Sequence, residues 1–329
     1  MSNARTWLGR RKFLLSAAAA VASPVIARAD RWPSRPVHII CPLAAGGGID
    51  ATARIVGARL GDIWGQRVVV ENKPGASGNI AAEYAAHAEP DGYTIYIPSF
   101  FHTTNAFLVP SHTYDAVADF APVTLLATYP LVMVVPTSSP ARTVQEFIAY
   151  ARTKKVSFAS SGYGSSLHLA AELFTRSAGI EMTHVPYRGA GPAFTDLIAG
   201  RVDAMINFTS SSLPLVRQGQ LRALAVTTAK RLSVAPDLPT MAEGGVAGVE
   251  VASWSAFLVP AKTSREIVGK IHDDTIKALD EPTVRDKLES TGAVVIGSTP
   301  AELTSFLEAE RSKWGRVIKA ANIQPLKGP

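Results

Sequence analysis

The chain has 329 residues, of which 47% are hydrophobic and 18% are charged. That length suits two compact domains or one large one, because single cores stop growing near ~250–300 residues. The composition excludes a disordered chain and a coiled coil. One cysteine excludes an intramolecular disulfide and a Cys-based zinc site. The formal charge of +6 is compatible with a polyanionic partner such as nucleic acid or a membrane surface.

The first 29 residues have the pattern of a cleaved export signal. They contain five basic residues and no acidic one, an apolar run at 13–22, and the small-residue end Ala27-Arg28-Ala29. The run is too short to span a bilayer, which takes ~20 helical residues. The pair Arg10-Arg11 resembles a twin-arginine signal, and an ordinary secretory signal is the alternative. Both routes predict a periplasmic protein of a Gram-negative type bacterium, with cleavage near Ala29.

Removal of this segment changes the charge argument. Subtracting its five basic residues from 33 leaves 28, against 27 acidic residues, so the mature chain would carry a net charge of +1. No later segment clusters Lys or Arg with interleaved aromatic residues. We therefore expect no nucleic-acid partner.

Short β-branched runs alternate with amphipathic segments from residue 35 onward. The first series predicts strands at 37–41, 68–71 and 93–97. One helix, capped by Asp50, is predicted after the first strand, and a second helix, after the loop at 72–78, is predicted to end at Ala88. Cys41 lies inside the first strand and is interpreted as a core residue. Strand, loop and helix repeating at this spacing predict parallel strands covered by helices.

A second series of the same kind follows an apolar run at 131–136. The pattern predicts helices at 143–153, 165–178 and 191–199, and strands at 156–159, 182–185, 202–207 and 221–227. Beyond Trp254 the chain is predicted to be mainly helical, at 264–279, 282–290 and 300–321. Two α/β lobes are the simplest arrangement of these elements.

The glycines Gly46-Gly47-Gly48 lie between the first strand and a helix start. Free N–H groups and the positive end of the helix dipole favour an anion at such a junction. The segment matches neither nucleotide-binding glycine motif, so a nucleotide phosphate is not supported. A turn that only connects two elements is an equal alternative.

A second junction, residues 160–168, adds hydroxyl groups to the backbone donors. Ser165 and Ser166 could hold a carboxylate without a buried countercharge. The alternative is that one of them is only an N-cap and that His168 is only a packed helix residue. No nucleophile elbow or triad can be assembled around these serines, so we predict no catalytic residue.

The sequence predicts no metal site and no cofactor, because its seven histidines are scattered and no dense carboxylate cluster accompanies them. Arg188 could clamp a ligand, although an exposed loop position is the default interpretation.

Several motifs follow one another in order: Pro42-Leu43-Ala44-Ala45-Gly46-Gly47-Gly48-Ile49-Asp50, Asn72-Lys73-Pro74-Gly75-Ala76-Ser77-Gly78, Pro90-Asp91-Gly92-Tyr93-Thr94, Ser161-Gly162-Tyr163-Gly164-Ser165-Ser166-Leu167-His168-Leu169, His184-Val185-Pro186-Tyr187-Arg188-Gly189 and Pro236-Asp237-Leu238-Pro239-Thr240. Together they resemble the Bug-type solute receptors of tripartite tricarboxylate transporters, over essentially the whole mature chain. Leu43, where an aromatic residue is usual, and Ala45, where proline is common, depart from the family pattern.

This resemblance implies an α/β, two-lobed periplasmic-binding-protein fold of type II (the Venus-flytrap kind) with two crossover connections. Lobe I would comprise residues 30–130 and 253–329, and lobe II residues 131–252. The implied function is a non-enzymatic receptor that holds a small organic carboxylate between its lobes. The implied partners are integral-membrane transporter subunits, and we expect a monomer.

The resemblance also implies ligand contacts, namely Leu43, Ala44, Ala45, Gly46, Gly47, Asp50, Ser165, Ser166 and His168. Because ligands sit at the carboxyl ends of parallel strands, we add Ser99, Phe100, Asn207 and Phe208. Asp50 is expected to cap its helix and organise its loop instead of touching an anionic ligand, since its charge would repel that ligand.

The loop at 99–102 and Phe208 suggest an aromatic-lined cleft and hence an aromatic carboxylate. The alternative is that these rings pack into lobe I. Two rival functions are an exported α/β hydrolase, which requires a catalytic triad that the sequence does not supply, and a ligand sensor of the same fold without a role in transport.

Overall fold

The computed structural model describes residues 32–109 and 113–325. The predicted export signal lies outside these residues. The chain from Arg35 onward forms one compact unit, and all of the following refers to that unit.

The described residues contain ten strands. Their bounds are β1 Val37–Cys41, β2 Val68–Asn72, β3 Thr94–Tyr96, β4 Phe120–Pro136, β5 Val156–Ser160, β6 Met182–Pro186, β7 Ala204–Phe208, β8 Leu221–Val226, β9 Ala252–Pro260 and β10 Val294–Val295.

Ten α-helices connect and cover these strands in the described ranges. They are α1 Gly48–Trp64, α2 Asn79–Ala86, α3 Phe101–Leu108, α4 Val144–Thr153, α5 Ser166–Ser177, α6 Ala190–Ile198, α7 Thr209–Arg217, α8 Arg265–Asp280, α9 Pro282–Ser290 and α10 Pro300–Ala320.

The long strand β4 joins two sets of strands. Up to Pro130 it pairs with β9, and from Leu131 it pairs with β7 and β8, in each case antiparallel. The first set, which we call the first sheet, adds the parallel strands β2, β1 and β3 next to β9. The second set, the second sheet, adds the parallel strands β7, β5 and β6. The prediction of parallel strands covered by helices is confirmed for both sheets.

One large buried cluster crosses the predicted lobe boundaries. It contains the strands of the second sheet together with Phe100 from the first series and Trp314 from α10, whose rings meet edge to face at 4.9 Å. The carboxyl-terminal half of α10 therefore shares a core with the second sheet. The lobe limits at 130 and 253 remain a prediction.

Two predicted elements differ from the structure. The chain beyond Trp254 begins with a nine-residue strand, β9, before it becomes helical. The strand pairs with β3 and β4 on its two edges and is buried almost throughout, so its buried and exposed residues do not alternate as in a half-buried strand. The apolar run at 131–136 is only the last six residues of β4, which has 17.

Candidate functional site

A cavity of about 450 Å³ lies at the carboxyl ends of two pairs of neighbouring strands, β1 with β3 in the first sheet and β7 with β5 in the second. This is the edge at which parallel α/β sheets bind ligands. Its lining comprises Leu43, Gly48, Ile49, Ser99, Phe100, Phe101, Tyr129, Ser161, Gly162, Tyr163, Ser165, Ser166, Phe208, Ser210, Ser253 and Thr291. Both sheets therefore contribute walls to one site.

Four helices begin at this cavity. They are α1, α3, α5 and α7, whose first residues or N-caps are Gly48, Phe101, Ser166 and Phe208. A helix start carries unpaired N–H groups and a positive partial charge. No acidic residue occupies the first turn of α3, α5 or α7. The positive ends of these three helices thus lack the acidic side chain that often balances them.

The lining contains no Lys, Arg, His, Asp or Glu. Within the described residues the hydroxyls of Ser99, Ser161, Ser166, Ser210 and Ser253 have no hydrogen-bond partner. They remain available to a ligand, along with the first N–H groups of the helices. The site can therefore bind an anion only through neutral donors.

The loop after β1 is organised by Asp50. Its Oδ2 accepts hydrogen bonds from the Gly46 N–H at 2.9 Å and the Arg54 Nε at 3.0 Å. Its Oδ1 accepts one from Asn72 Nδ2 at 2.8 Å, and the same Asn72 amide donates to the Leu43 carbonyl at 2.9 Å. Asn72, the last residue of β2, thus holds the Leu43 end of the loop directly and is linked through Asp50 to Gly46.

The charge of Asp50 is compensated locally. The side chain is 3% exposed, and Arg54 one turn away forms an ion pair with it at 3.0 Å. Burial opposes ionisation, but the hydrogen bonds from Arg54, Gly46 and Asn72 outweigh it and lower the pKa of Asp50. A fixed, paired carboxylate behind the loop leaves the cavity itself without negative charge.

The loop after β5 is fixed by neutral groups. Ser165 is the N-cap of α5, since its Oγ accepts the His168 N–H at 3.2 Å and donates to the Gly162 carbonyl at 2.7 Å. His168 Nδ1 in turn accepts the Gly164 N–H at 3.1 Å, which requires that nitrogen to carry no proton. Gly162 and Gly164 have φ of +134° and +74°, which favours glycine at both positions.

Three rings stack behind this loop, and a fourth, tilted by 37° against the third, ends at the cavity. Their order is Phe158, His184, His168 and Tyr163, with successive centroid distances of 4.9, 3.8 and 5.0 Å. Burial and the neighbouring His168 lower the pKa of His184 to about 3, so this imidazole is neutral at pH 7. Its Nε2 lies 2.7 Å from Ser160 Oγ. Tyr163, the last ring, lines the cavity and is 39% exposed.

The structure brings some predicted residues to the cavity and not others. Leu43, Ser99, Phe100, Ser165, Ser166 and Phe208 line it. Ala44, Ala45, Gly46, Gly47, Asp50, His168 and Asn207 are outside the lining. Ser165 and His168 support the loop through their mutual bond, and Ser166 carries the free hydroxyl.

Three local predictions are corrected or resolved by the structure. Asp50 is not the cap of α1, because the helix begins two residues earlier at Gly48 and its N-cap is Gly47. The segment 99–102 is not a loop, since α3 begins at Phe101. Arg188 is exposed and outside the lining, as its default interpretation expects.

Sequence reasoning missed several wall residues. Tyr129 and Ser253 lie where β4 and β9 pair, and Thr291 follows α9. Ser210 lies in the first turn of α7, a helix that the sequence pattern did not indicate. The polar residues that directly follow β7 were the signal that could have indicated Ser210. Tyr129, Ser253 and Thr291 reach the cavity through contacts between distant parts of the chain, which the sequence does not show.

Among the described residues no group of His, Cys, Asp and Glu could hold a metal ion. In the same part of the chain no helix has both the length and the hydropathy needed to cross a bilayer.

Residues 52–323 match the profile of a family described as "Tripartite tricarboxylate transporter family receptor". "Protein BugT" of Bordetella pertussis is 34% identical over 307 residues, which cover 92% of this chain and 94% of that protein. The resemblance to Bug-type receptors is thereby confirmed.

Two solved structures share the fold. "R. palustris Rpa4515 with adipate" is 40% identical with a TM-score of 0.78, covering 90% of this chain and 100% of that one. "MatC (Rpa3494) from Rhodopseudomonas palustris with bound malate" is 33% identical with a TM-score of 0.74, covering 87% and 100%. Family membership excludes the rival hydrolase. The chain belongs to the tripartite tricarboxylate transporter receptor family, and it is a two-lobed solute receptor of the periplasmic-binding-protein type, not an enzyme.

Proposed function

We propose that the chain binds a small organic carboxylate in the cavity between its two sheets and delivers it to the membrane subunits of a transporter. One observation carries the proposal, namely that four helix starts converge on a cavity whose lining has no charged side chain. Each helix start presents roughly half a positive charge. A carboxylate supplies the negative charge that the first turns of α3, α5 and α7 lack.

The contacts divide between the two sheets. The start of α1 offers the N–H groups of Gly48 and Ile49, while the second sheet offers the Ser166 hydroxyl and the start of α5. Both sets are satisfied together only when the lobes are closed around the ligand, so binding shifts an opening and closing equilibrium. A net contribution of ~8 kcal/mol corresponds to a dissociation constant of about 1 μM.

We further propose that the protein acts as a periplasmic monomer after cleavage near Ala29, and that integral-membrane subunits recognise the closed form. The basic and apolar pattern of residues 1–29 supports export. The change of β4 partners between Pro130 and Leu131 supports a first crossover there, with lobe II at 131–252. The adipate and malate held by the two solved relatives support a carboxylate ligand.

Calorimetry with acids and their amides tests the central step. The purified protein is titrated with adipate, malate and benzoate, and with the corresponding neutral amides. We expect at least one acid to bind in the micromolar range and its amide to bind at least 100-fold more weakly. The proposal fails if no acid binds, or if amides bind as tightly as acids. Mass spectrometry of a co-purified ligand provides an independent check.

A further inference from the structure

We propose that the ligand is an aromatic carboxylate, a benzoate-type acid, and that Tyr163 is the side chain that selects its ring. This inference rests on the proposed carboxylate site and specifies the uncharged part of the ligand.

The walls of the cavity are rich in aromatic rings. Phe100, Phe101 and Tyr129 come from the first sheet and its connections, and Tyr163 and Phe208 come from the second. Tyr129 does not offer its hydroxyl, which lies 2.7 Å from Thr52 Oγ1 and 3.2 Å from Ser255 Oγ. It therefore presents its ring to the cavity as an apolar surface.

The first-sheet rings are held in place by packing. Phe100 is 2% exposed and meets Trp314 edge to face. Phe101 meets Phe100 at 6.4 Å with the ring planes 76° apart. Phe100 thus packs in the buried cluster of the second sheet, and Phe100 and Phe101 both line the cavity. A ligand meets a preformed aromatic wall on this side.

Tyr163 is the ring with the most exposed surface in the cavity. Its ring neighbour is His168, against which it is tilted by 37°, and His168 in turn stacks on His184. The residue is 39% exposed. A planar ligand ring placed against its exposed surface would contact the Tyr163 ring, and offset stacking of such rings is favourable.

The cavity combines donors at the helix starts with rings along its walls. No cationic side chain lines it, so the carboxylate is held by the neutral donors of the helix starts. The rings of the lining then favour an aromatic body for the rest of the ligand.

Calorimetry on the wild-type protein provides the first test. The probes are benzoate, cyclohexanecarboxylate as its non-aromatic counterpart of similar size, and adipate as a diacid. We expect benzoate to bind at least 10-fold more tightly than either of the others. If cyclohexanecarboxylate or adipate binds as tightly as benzoate, the ring proposal is overturned while the carboxylate receptor stands. If none of the three acids binds, the ring proposal fails, and the receptor proposal fails with it when malate does not bind either.

Two variants of Tyr163 provide the second test. Tyr163→Leu keeps an apolar side chain but removes the ring, and we expect it to weaken benzoate at least 10-fold while changing cyclohexanecarboxylate less than threefold. Tyr163→Phe keeps the ring and should retain benzoate within threefold. Equal losses for the two acids in Tyr163→Leu would show a merely structural role and overturn the assignment. The ranking of acids by the wild-type protein decides the ligand class even if Tyr163→Leu does not fold.

Discussion

The two loops that face the cavity are fixed by different chemistry for the same purpose. The loop of the first sheet is tied by an ionised carboxylate, Asp50, which pairs with Arg54 and Asn72. The loop of the second sheet is tied by a serine cap and by imidazoles, of which His184 is held neutral. Each solution immobilises a helix start and leaves no uncompensated negative charge at the cavity. We therefore expect an anion site of neutral donors to depend on the residues that hold the two loops as much as on the residues that contact the ligand.

Removing the carboxylate of the first loop should have the largest effect. Asp50→Ala leaves the Gly46 N–H, Arg54 and Asn72 without their common acceptor. We expect affinity for the best acid to fall about 100-fold and the free energy of unfolding to fall by about 2–3 kcal/mol. Asp50→Asn, which keeps the shape and one acceptor oxygen, should lose less of both. Calorimetry and urea denaturation measure the two effects, and an unchanged affinity in Asp50→Ala would show that the loop does not need this anchor.

A glycine that follows α9, Gly292, lies close to Ser210 in the first turn of α7. A methyl group added at Gly292, where φ is +84°, would lie 2.5 Å from Ser210 Cβ. We expect Gly292→Ala to weaken binding about 10-fold, because the turn after α9 can no longer approach α7. Ser210→Gly removes the contacted side chain, so the double variant should bind as well as the single Ser210→Gly variant.

Gly219→Ala is the matched control for this prediction. Gly219 also has a positive φ, +70°, but a methyl group there meets no atom within 4 Å. It therefore carries the same backbone strain without the clash. If both alanine variants bind equally weakly, strain and not closure explains the effect.

The adjacent serines of the second loop should separate folding from binding. Ser165→Ala removes the N-cap of α5 and should lower the free energy of unfolding by about 1 kcal/mol. Ser166→Ala removes an unused hydroxyl and should leave stability unchanged while weakening the acid about fivefold, the loss of one hydrogen bond of about 1 kcal/mol. Thermal unfolding measures the stability of each variant, and calorimetry measures its affinity. A stable Ser165→Ala together with a destabilised Ser166→Ala would contradict the assignment of Ser165 as the cap.

The smallest expected effect concerns pH. Burial and the neighbouring His168 lower the pKa of His184 from its ordinary value of 6.5 to about 3 in the folded protein, so between these pH values the unfolded chain binds the extra proton. This contribution to stability is present above pH 6.5 and is lost as the pH falls toward 3. His184→Phe should make the unfolding free energy less dependent on pH between 6.5 and 4.5. Phe158→Leu, which weakens the stack without removing a titrating group, should keep the wild-type slope.

The sequence was most informative where local chemistry decides the structure. The starts of α1 and α5 follow a strand with glycines or serines, so both loops were predicted as anion sites within two residues. The i, i+4 spacing of Asp50 and Arg54 was equally readable, although the sequence could not show that Asn72 would bridge them to Leu43.

The other two helix starts were not predictable in this way. The helix α3 has Phe100 at its N-cap position and contains two threonines and an asparagine, and α7 contains three serines and Pro214. Both lack a strong local helix signal, so tertiary packing determines them. The stack of His168 on His184 joins residues from α5 and β6, and only the fold reveals it.

A crystal structure with bound benzoate would test the central claim most directly. The account predicts carboxylate oxygens about 2.7–3.2 Å from the N–H groups that begin α1 and from the Ser166 hydroxyl or the start of α5. It also predicts that no Lys or Arg nitrogen lies in contact with the ligand. A carboxylate paired with Arg188 or another cationic side chain would contradict the claim that neutral donors hold the anion.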